Sequence, residues 1–137
     1  MEGTVRALFV APEKKAGLHP LREVQVGKAG FEGDFHARIE DPRQILMISN
    51  AVLEEFELEA GMLRENMVVD GLDVMTLREG QRLKIGDTVL EVTIPCDPCG
   101  QMNRLRSGLK HALIGRRGMF AKVITAGTIR IGDPVSI

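Results

Sequence analysis

A chain of 137 residues, 44% of them hydrophobic, is long enough to bury one core, so we predict a single domain over residues 1–137. The formal net charge of −1 and the absence of Tyr and Trp argue against nucleic-acid binding through phosphates or stacked bases. The N-terminus has no signal-peptide pattern, and no apolar run approaches the roughly 18 residues of a membrane span, so we expect a cytoplasmic protein.

Short strand patterns recur along the whole chain. Residues 3–10 alternate, which predicts Val5, Ala7 and Phe9 on one face of a strand and Leu8 on the other. Gly86-Asp87 predicts a hairpin between two strands, and the similar sequence at 130–136 predicts a second hairpin. The predicted strands are 3–10, 23–26, 44–48, 66–69, 83–85, 88–92, 120–125 and 132–137.

Two stretches have helical spacing. Residues 51–58 follow a possible N-cap at Ser49 or Asn50, and Gly61 is a plausible stop, so we expect a short helix that covers one barrel opening. Apolar residues between Leu105 and Leu113 predict a second helix that ends at Gly115. Many short strands with few helices indicate a mostly β fold, a small closed or nearly closed β-barrel with two or three short helices.

Both cysteines lie in the stretch 93–103, directly after a predicted strand. Pro95 and Pro98 lack backbone N–H groups, so we predict that the chain leaves the sheet there as a shaped loop. Because thiols stay reduced in the cytoplasm, Cys96 and Cys99 are better interpreted as metal-binding, catalytic or redox-active than as a disulfide.

The Cys96-x-x-Cys99 spacing admits several interpretations. A structural zinc site needs four ligands, and none of the histidines shares a ligand spacing with the pair. A thioredoxin-like pair belongs at the start of a helix in a βαβ unit, and two prolines are an unusual setting for buried core cysteines. The remaining interpretation is one nucleophilic or metal-ligating thiolate, whose pKa nearby arginines would lower. The candidate arginines are Arg64, Arg104 and Arg106.

Other polar groups are ambiguous on sequence alone. Arg64 suits a phosphate or carboxylate, and Asn66 offers both a donor and an acceptor, although such residues are also common at turns. Asp34 and His36 invite comparison with metal sites, but a tight turn that enters a strand explains them equally simply, and we favour that explanation. Lys14 and Lys15 are predicted to lie in a solvated loop.

In their joint order these segments resemble the MOSC domain family, the molybdenum cofactor sulfurase C-terminal domains. The matching segments are 30–36, 61–69, 71–73, 83–87, Pro98-Cys99 and 132–135. The resemblance implies a barrel like that of pyruvate kinase and a site for molybdenum cofactor, also called molybdopterin. It also implies that Cys99 carries sulfur as a persulfide or binds molybdenum directly, with Cys96 accessory.

The resemblance assigns further roles and partners. Arg64 and Asn66 would hold the anionic cofactor, and Thr93 would donate a hydroxyl hydrogen bond to it. The favoured function is cofactor binding with sulfur or metal carriage through Cys99 during cofactor maturation or delivery, beside a cysteine desulfurase or a molybdoenzyme. The alternative is a small molybdenum-dependent reductase of N-hydroxylated substrates that takes electrons from an external redox protein. Related sulfurases carry a pyridoxal-phosphate domain and larger reductases an additional β-domain, and we expect neither here.

Overall fold

A computed structural model describes residues 2–13 and 17–137, so the predicted loop of Lys14 and Lys15 lies outside the described residues. The strands are β1 (Glu2–Val10), β2 (His19–Leu21), β3 (Glu23–Gly27), β4 (Gly30–Phe31), β5 (Ile45–Ser49), β6 (Met67–Asp70), β7 (Arg82–Ile85), β8 (Thr88–Pro95), β9 (Met119–Thr125), β10 (Gly127–Arg130) and β11 (Pro134–Ser136). The helices are α1 (Asn50–Glu55), α2 (Met102–Leu105) and α3 (Leu109–Ala112), with a 3-10 turn at Val74–Thr76. Among the described residues, no helix is long and apolar enough to cross a membrane.

Strands from both ends of the chain close the barrel. Within the described ranges, seven strands follow the order β11-β7-β8-β9-β5-β6-β1, and β1 pairs again with β11 through Glu2↔Ser136 and Thr4↔Pro134. These neighbours are antiparallel except for β5 and β6, which are parallel. Strand β2 extends the sheet beside β1, while β10, β3 and β4 form a separate three-stranded sheet. The predicted β-barrel with three short helices is therefore confirmed.

Strand β1 does not keep the predicted alternation. A β-bulge between Val5 and Ala7 shifts its register against β6. Val5 and Leu8 consequently both pack in the barrel interior, whereas Phe9 belongs to a second apolar cluster outside the barrel. The prediction that Val5 and Phe9 share a face was wrong because one extra residue reverses the side-chain direction.

The second cluster joins the helices to the barrel wall. Ile48 and Val68 point away from the interior and pack with Val52 of α1 and Leu109 of α3. Their sequence neighbours Met47 and Met67 lie inside the barrel, as alternation along a strand requires. Helix α1 therefore packs against the outer face of β5 and β6, and our expectation that it covers a barrel opening was wrong.

Both predicted helices are shorter than expected. Helix α1 ends at Glu55 because Glu57 has φ of 53° and the Arg106 guanidinium binds the Phe56 and Glu57 carbonyl oxygens. Gly61 is therefore not the helix stop. The second predicted helix, between Leu105 and Leu113, forms only over Leu109–Ala112 as α3, because Arg106 is extended and Gly108 before α3 has φ of 82°, a left-handed conformation.

The two similar glycine-aspartate sequences adopt different structures. Strands β7 and β8 form the predicted hairpin, with Ile85 opposite Thr88. Strands β10 and β11 belong to different sheets, so the second predicted hairpin was wrong. Asp133 Oδ2 accepts the Arg130 N–H at 2.8 Å and closes a turn that carries the chain from one sheet to the other.

Candidate functional site: a cysteine loop on a buried arginine

The cysteine loop, residues 96–101, connects β8 to α2. Strand β8 runs through Pro95, which pairs with Met119, and the Cys96 N–H then donates to the Gly118 carbonyl at 2.9 Å. Our prediction that the chain leaves the ladder at Pro95 was wrong. The β8 register is already shifted between Val92 and Pro95, and such an irregularity accommodates a residue without a backbone donor.

The two thiols have unlike surroundings. Both cysteines are free, but Cys96 is half-buried beside the barrel while Cys99 is exposed. The Met102 N–H donates to the Cys99 carbonyl at 3.0 Å, which fixes the end of the loop to the start of α2. The loop is thus held at both ends and presents one sulfur to solvent.

Arg117 is the cation that sequence reasoning missed. Its residue is only 6% exposed, and its Nη2 donates to the Leu63 carbonyl oxygen. Among the described residues, its Nε and Nη1 have no hydrogen-bond partner. The adjacent Arg116 has a side chain that is 42% exposed and binds Glu55 through two 2.7 Å hydrogen bonds. Two arginines next to each other in the sequence thus have different surroundings, which no local pattern distinguishes.

Burial raises the pKa of the Cys96 thiol, and the positive charge of Arg117 partly offsets that effect. Arg43 contributes a smaller effect in the same direction. Of the predicted cations, Arg106 is occupied at the end of α1. The positive charges that lower the pKa of this thiol therefore come from the loop before β5 and the turn before β9, whereas Cys99 and Asp97 in its own loop raise that pKa.

The charge of Arg117 also acts on the carboxyl of Glu65. The residue is fully buried, its Oε2 accepts the Gly61 N–H at 2.8 Å, and its Oε1 has no hydrogen-bond partner among the described residues. Burial raises the pKa of this carboxyl, against a lowering by the Gly61 N–H and by the charge of Arg117. The charge of Arg117 thus acts on both a buried carboxyl and a half-buried thiol.

The structure places Arg64 in the tight turn that contains Glu65. Arg64 is half-buried, its backbone φ is 61°, and its N–H donates to the Gly61 carbonyl at 3.0 Å. A left-handed conformation at a residue other than glycine is uncommon and holds the side chain in a direction that an ordinary turn would not give.

Asn66 bridges strands from inside the protein. Its residue is 3% exposed, its Oδ1 accepts the Leu46 N–H at 2.9 Å, and its Nδ2 donates to the Phe9 carbonyl at 3.3 Å. Both ends of the amide are therefore used by the backbones of β5 and β1. A direct contact between Asn66 and a cofactor stays a prediction, and the observed contacts make this residue a support for the turn before it.

Thr93 lies within β8 and its hydroxyl donates to the Pro42 carbonyl at 2.5 Å. It also lines a surface cavity of about 270 Å³ together with Glu40, Glu91 and Lys122. The hydrogen bond ties the loop before β5 to β8, two residues before that strand ends. A hydroxyl contact with a cofactor likewise stays a prediction.

Asp34 and His36 are local neighbours, with 3.7 Å between Asp34 Oδ2 and His36 Nδ1. Burial would raise the pKa of Asp34, but His36, the Ala11 N–H and the Asn66 amide together hold it below its ordinary value. Asp34 Oδ1 accepts the Ala11 N–H at 2.9 Å. These contacts agree with the structural interpretation that we favoured from the sequence.

The donor set fits a cofactor that brings its own metal ligands. Within residues 2–13 and 17–137, no three His, Cys, Asp or Glu side chains are grouped to hold a metal ion. A soft thiol that feels the charge of a buried guanidinium, two of whose N–H groups have no partner among the described residues, nevertheless suits an anionic, sulfur-containing partner. One protein thiolate can complete the coordination of a metal whose other ligands come from a pterin.

Solved structures share the fold of this chain. The YuaD protein of Bacillus subtilis superposes with a TM-score of 0.86 at 22% identity, over 98% of this chain and 94% of that one. YiiM of Geobacillus stearothermophilus gives a TM-score of 0.79 at 22% identity, over 97% of this chain and 73% of that one. YiiM of Escherichia coli gives 0.72 at 19% identity, over 97% and 68%.

Among curated proteins, a search finds no match to this sequence. The family comparison gives a match: the model of the MOSC domain covers residues 33–136, from the turn before Asp34 to the last barrel strand. That span includes the cysteine loop, Arg64 and Arg117. This chain therefore belongs to the MOSC domain family, whose members are associated with the molybdenum cofactor.

Proposed function

We propose that this MOSC domain binds the molybdenum cofactor and carries sulfur or metal on Cys99 during maturation or delivery of the cofactor. The observation that carries the proposal is the exposure of Cys99 on a loop that is fixed at both ends. A carrier thiol must meet the reactive group of another protein, and an exposed sulfur at a defined position satisfies that requirement. The family assignment supplies the cofactor class.

Sulfur uptake by Cys99 needs no oxidant. The Cys99 thiolate attacks the outer sulfur of a persulfide on a donor such as a cysteine desulfurase. A new S–S bond forms on Cys99, the donor's S–S bond breaks, and its electron pair remains on the donor as a thiolate. The exposed position of Cys99 allows this contact. Delivery is the same exchange in the opposite direction: an acceptor thiolate of the molybdoenzyme attacks the outer sulfur on Cys99, the S–S bond on Cys99 breaks, and its electron pair remains on Cys99 as a thiolate.

Two residues would contact the cofactor and two would hold the segments around it. Arg64 would bind its phosphate through charge-assisted hydrogen bonds, and Cys99 would provide a thiolate for molybdenum. Asn66 and Thr93 would hold the flanking segments through their hydrogen bonds to backbone carbonyls. The bound group supplies a molybdenum centre able to exchange a sulfur ligand.

The test measures cofactor content in matched cysteine variants. Wild-type protein, Cys99→Ala and Cys96→Ala are purified anaerobically from a cofactor-producing host, and molybdenum is measured by mass spectrometry beside pterin fluorescence. We expect near-stoichiometric metal and pterin in the wild type, loss in Cys99→Ala and substantial retention in Cys96→Ala. Equal loss in both variants would contradict the assignment to Cys99 and indicate a dithiol site.

A turnover assay separates the carrier from the alternative enzyme. The loaded wild-type protein is mixed with a chemical electron donor and an N-hydroxylated base. A carrier should leave the base unchanged. Reduction of the base that depends on Cys99 would instead establish the molybdenum-dependent reductase.

A further inference from the structure

The proposed carriage uses only one of the two thiols in the loop. Cys96 lies three residues before Cys99 and is held against the barrel by its N–H bond to the Gly118 carbonyl. The two sulfurs are within electrostatic reach, since a negative charge on Cys99 raises the pKa of the Cys96 thiol. One thiol therefore faces solvent while its neighbour is half-buried in the same loop.

The positive charge of Arg117 acts on the half-buried thiol of Cys96. Arg117 precedes Gly118, whose carbonyl binds Cys96, and among the described residues the Nε and Nη1 of this buried arginine side chain have no hydrogen-bond partner. Unpaired donors on a buried charged group are energetically unfavourable. The positive charge of Arg117 acts on the Cys96 thiol, so an anion on the Cys96 sulfur would have a buried partner of opposite charge, whereas one on exposed Cys99 competes with water.

We propose that the cysteines form a sulfur relay, in which exposed Cys99 accepts sulfane sulfur and passes it to Cys96, where Arg117 holds the resulting persulfide anion. This inference rests on the proposed sulfur carriage and extends it with an internal step. The relay would keep the reactive sulfur away from solvent between uptake and delivery. It gives Cys96 and Arg117 roles in handling sulfur.

The transfer between the thiols balances without a co-reactant. Cys96 loses its proton to solvent, and its thiolate attacks the outer sulfur of the Cys99 persulfide. The S–S bond on Cys99 breaks as the S–S bond on Cys96 forms, and the electron pair remains on the Cys99 sulfur, which takes up a proton. Charge-assisted hydrogen bonds from Arg117 favour the product because they stabilise its terminal sulfur as an anion.

The experiment follows the position of the sulfane sulfur with time. Reduced protein receives equimolar inorganic tetrasulfide under anaerobic conditions, and samples are alkylated with iodoacetamide at successive times. Trypsin releases residues 85–104 as one peptide with both cysteines, and fragmentation between them assigns the extra sulfur by mass. The variants are Cys99→Ser, Cys96→Ser, Arg117→Lys and Arg117→Met, and Arg116→Met is the matched control.

In the wild type we expect the extra sulfur first on Cys99 and later on Cys96. In Cys99→Ser, loading of Cys96 should slow by about tenfold, a difference of ~1.4 kcal/mol in barrier. Arg117→Met should leave the sulfur on Cys99 and Arg117→Lys should restore part of the transfer, while Arg116→Met should behave as wild type. Thermal melting followed by circular dichroism identifies any variant that fails to fold, and the two serine variants test the relay without altering Arg117.

Two results would overturn the relay. In the first, Cys99 loads in the wild type and its sulfur stays there throughout the time course, which leaves the carriage on Cys99 intact. In the second, Cys96 loads equally fast with and without Cys99. A protein that takes sulfur on neither thiol would instead overturn the sulfur carriage, so the two failures are distinguishable.

Discussion

Replacing Asn66 by alanine removes an amide that connects the backbones of β1 and β5 at the start of β6. The change leaves the Leu46 N–H and the Phe9 carbonyl without the partners that Asn66 provides at 2.9 and 3.3 Å. A buried backbone group that loses its partner costs about 1–3 kcal/mol, so for two such groups we expect a total loss of about 2–6 kcal/mol. Small domains are stable by only about 5–15 kcal/mol, so this loss would be large.

Urea denaturation monitored by circular dichroism measures the effect on the free energy of unfolding. Asn103→Ala is the matched control, because Asn103 is exposed and its Oδ1 accepts one hydrogen bond, from the Lys110 N–H at 3.1 Å. We expect a change of at most about 0.5 kcal/mol in the control, as is usual for surface positions. Comparison of the two variants shows how much of the loss in the free energy of unfolding comes from the buried position of Asn66, because both variants lose the same amide group.

If the free energy of unfolding of Asn66→Ala lies within about 0.5 kcal/mol of the wild-type value, Asn66 does not stabilise the fold by bridging β1 and β5. If that variant also lost molybdenum and pterin while remaining stable, Asn66 would be a direct cofactor ligand, as the family resemblance implies. A destabilised variant that binds cofactor in proportion to its folded fraction would support the bridging role.

Two further variants test the surroundings of the cysteine loop. Glu65→Gln keeps an acceptor for the Gly61 N–H but removes a carboxyl whose pKa burial raises above its ordinary value of 4.5. The folded protein holds that proton more tightly than the unfolded chain, so the stability from Glu65 is lost as pH rises above 4.5, and the Tm of the variant relative to wild type should increase with pH. A Tm difference that stays constant across the pH series would contradict this. Gly118→Ala places a Cβ atom 2.5 Å from a carbonyl oxygen of β5 at φ of 137°, so we expect a loss of at least about 2 kcal/mol in urea denaturation. Gly100→Ala meets no heavy atom within 4 Å and should change the midpoint little, and equal midpoints for the two variants would refute the packing argument.

Local patterns predicted most of the strands and the loop that carries the cysteines. The hairpin of β7 and β8 follows from Gly86-Asp87 between two alternating segments, and β5 follows from its apolar run. These signals are short in range, because backbone conformation and alternation depend on adjacent residues. The order of the motifs, rather than any one of them, indicated the MOSC family.

Pairings between distant segments were beyond local patterns. The sequence 130–136 resembles the hairpin at 84–90, yet β10 pairs with β3 while β11 pairs with β1 and β7. The register of each strand depends on which pairing buries the most apolar surface over the whole barrel. A single bulge in β1 shifts the register of that strand against β6, so the side chains after the bulge face the opposite way. The early end of α1 also depends on a side chain from elsewhere in the chain, Arg106.

The sequence by itself determined that two thiols lie together in a proline-containing loop after a strand. Only the tertiary structure decided which thiol is exposed and which arginine acts on the other. Arg116 and Arg117 are chemically identical neighbours, but one reaches Glu55 at the surface and the other reaches the Leu63 carbonyl inside. Burial depends on what the rest of the chain packs around a side chain. The role of Arg117 as the buried cation of this site could therefore be identified only in the folded protein.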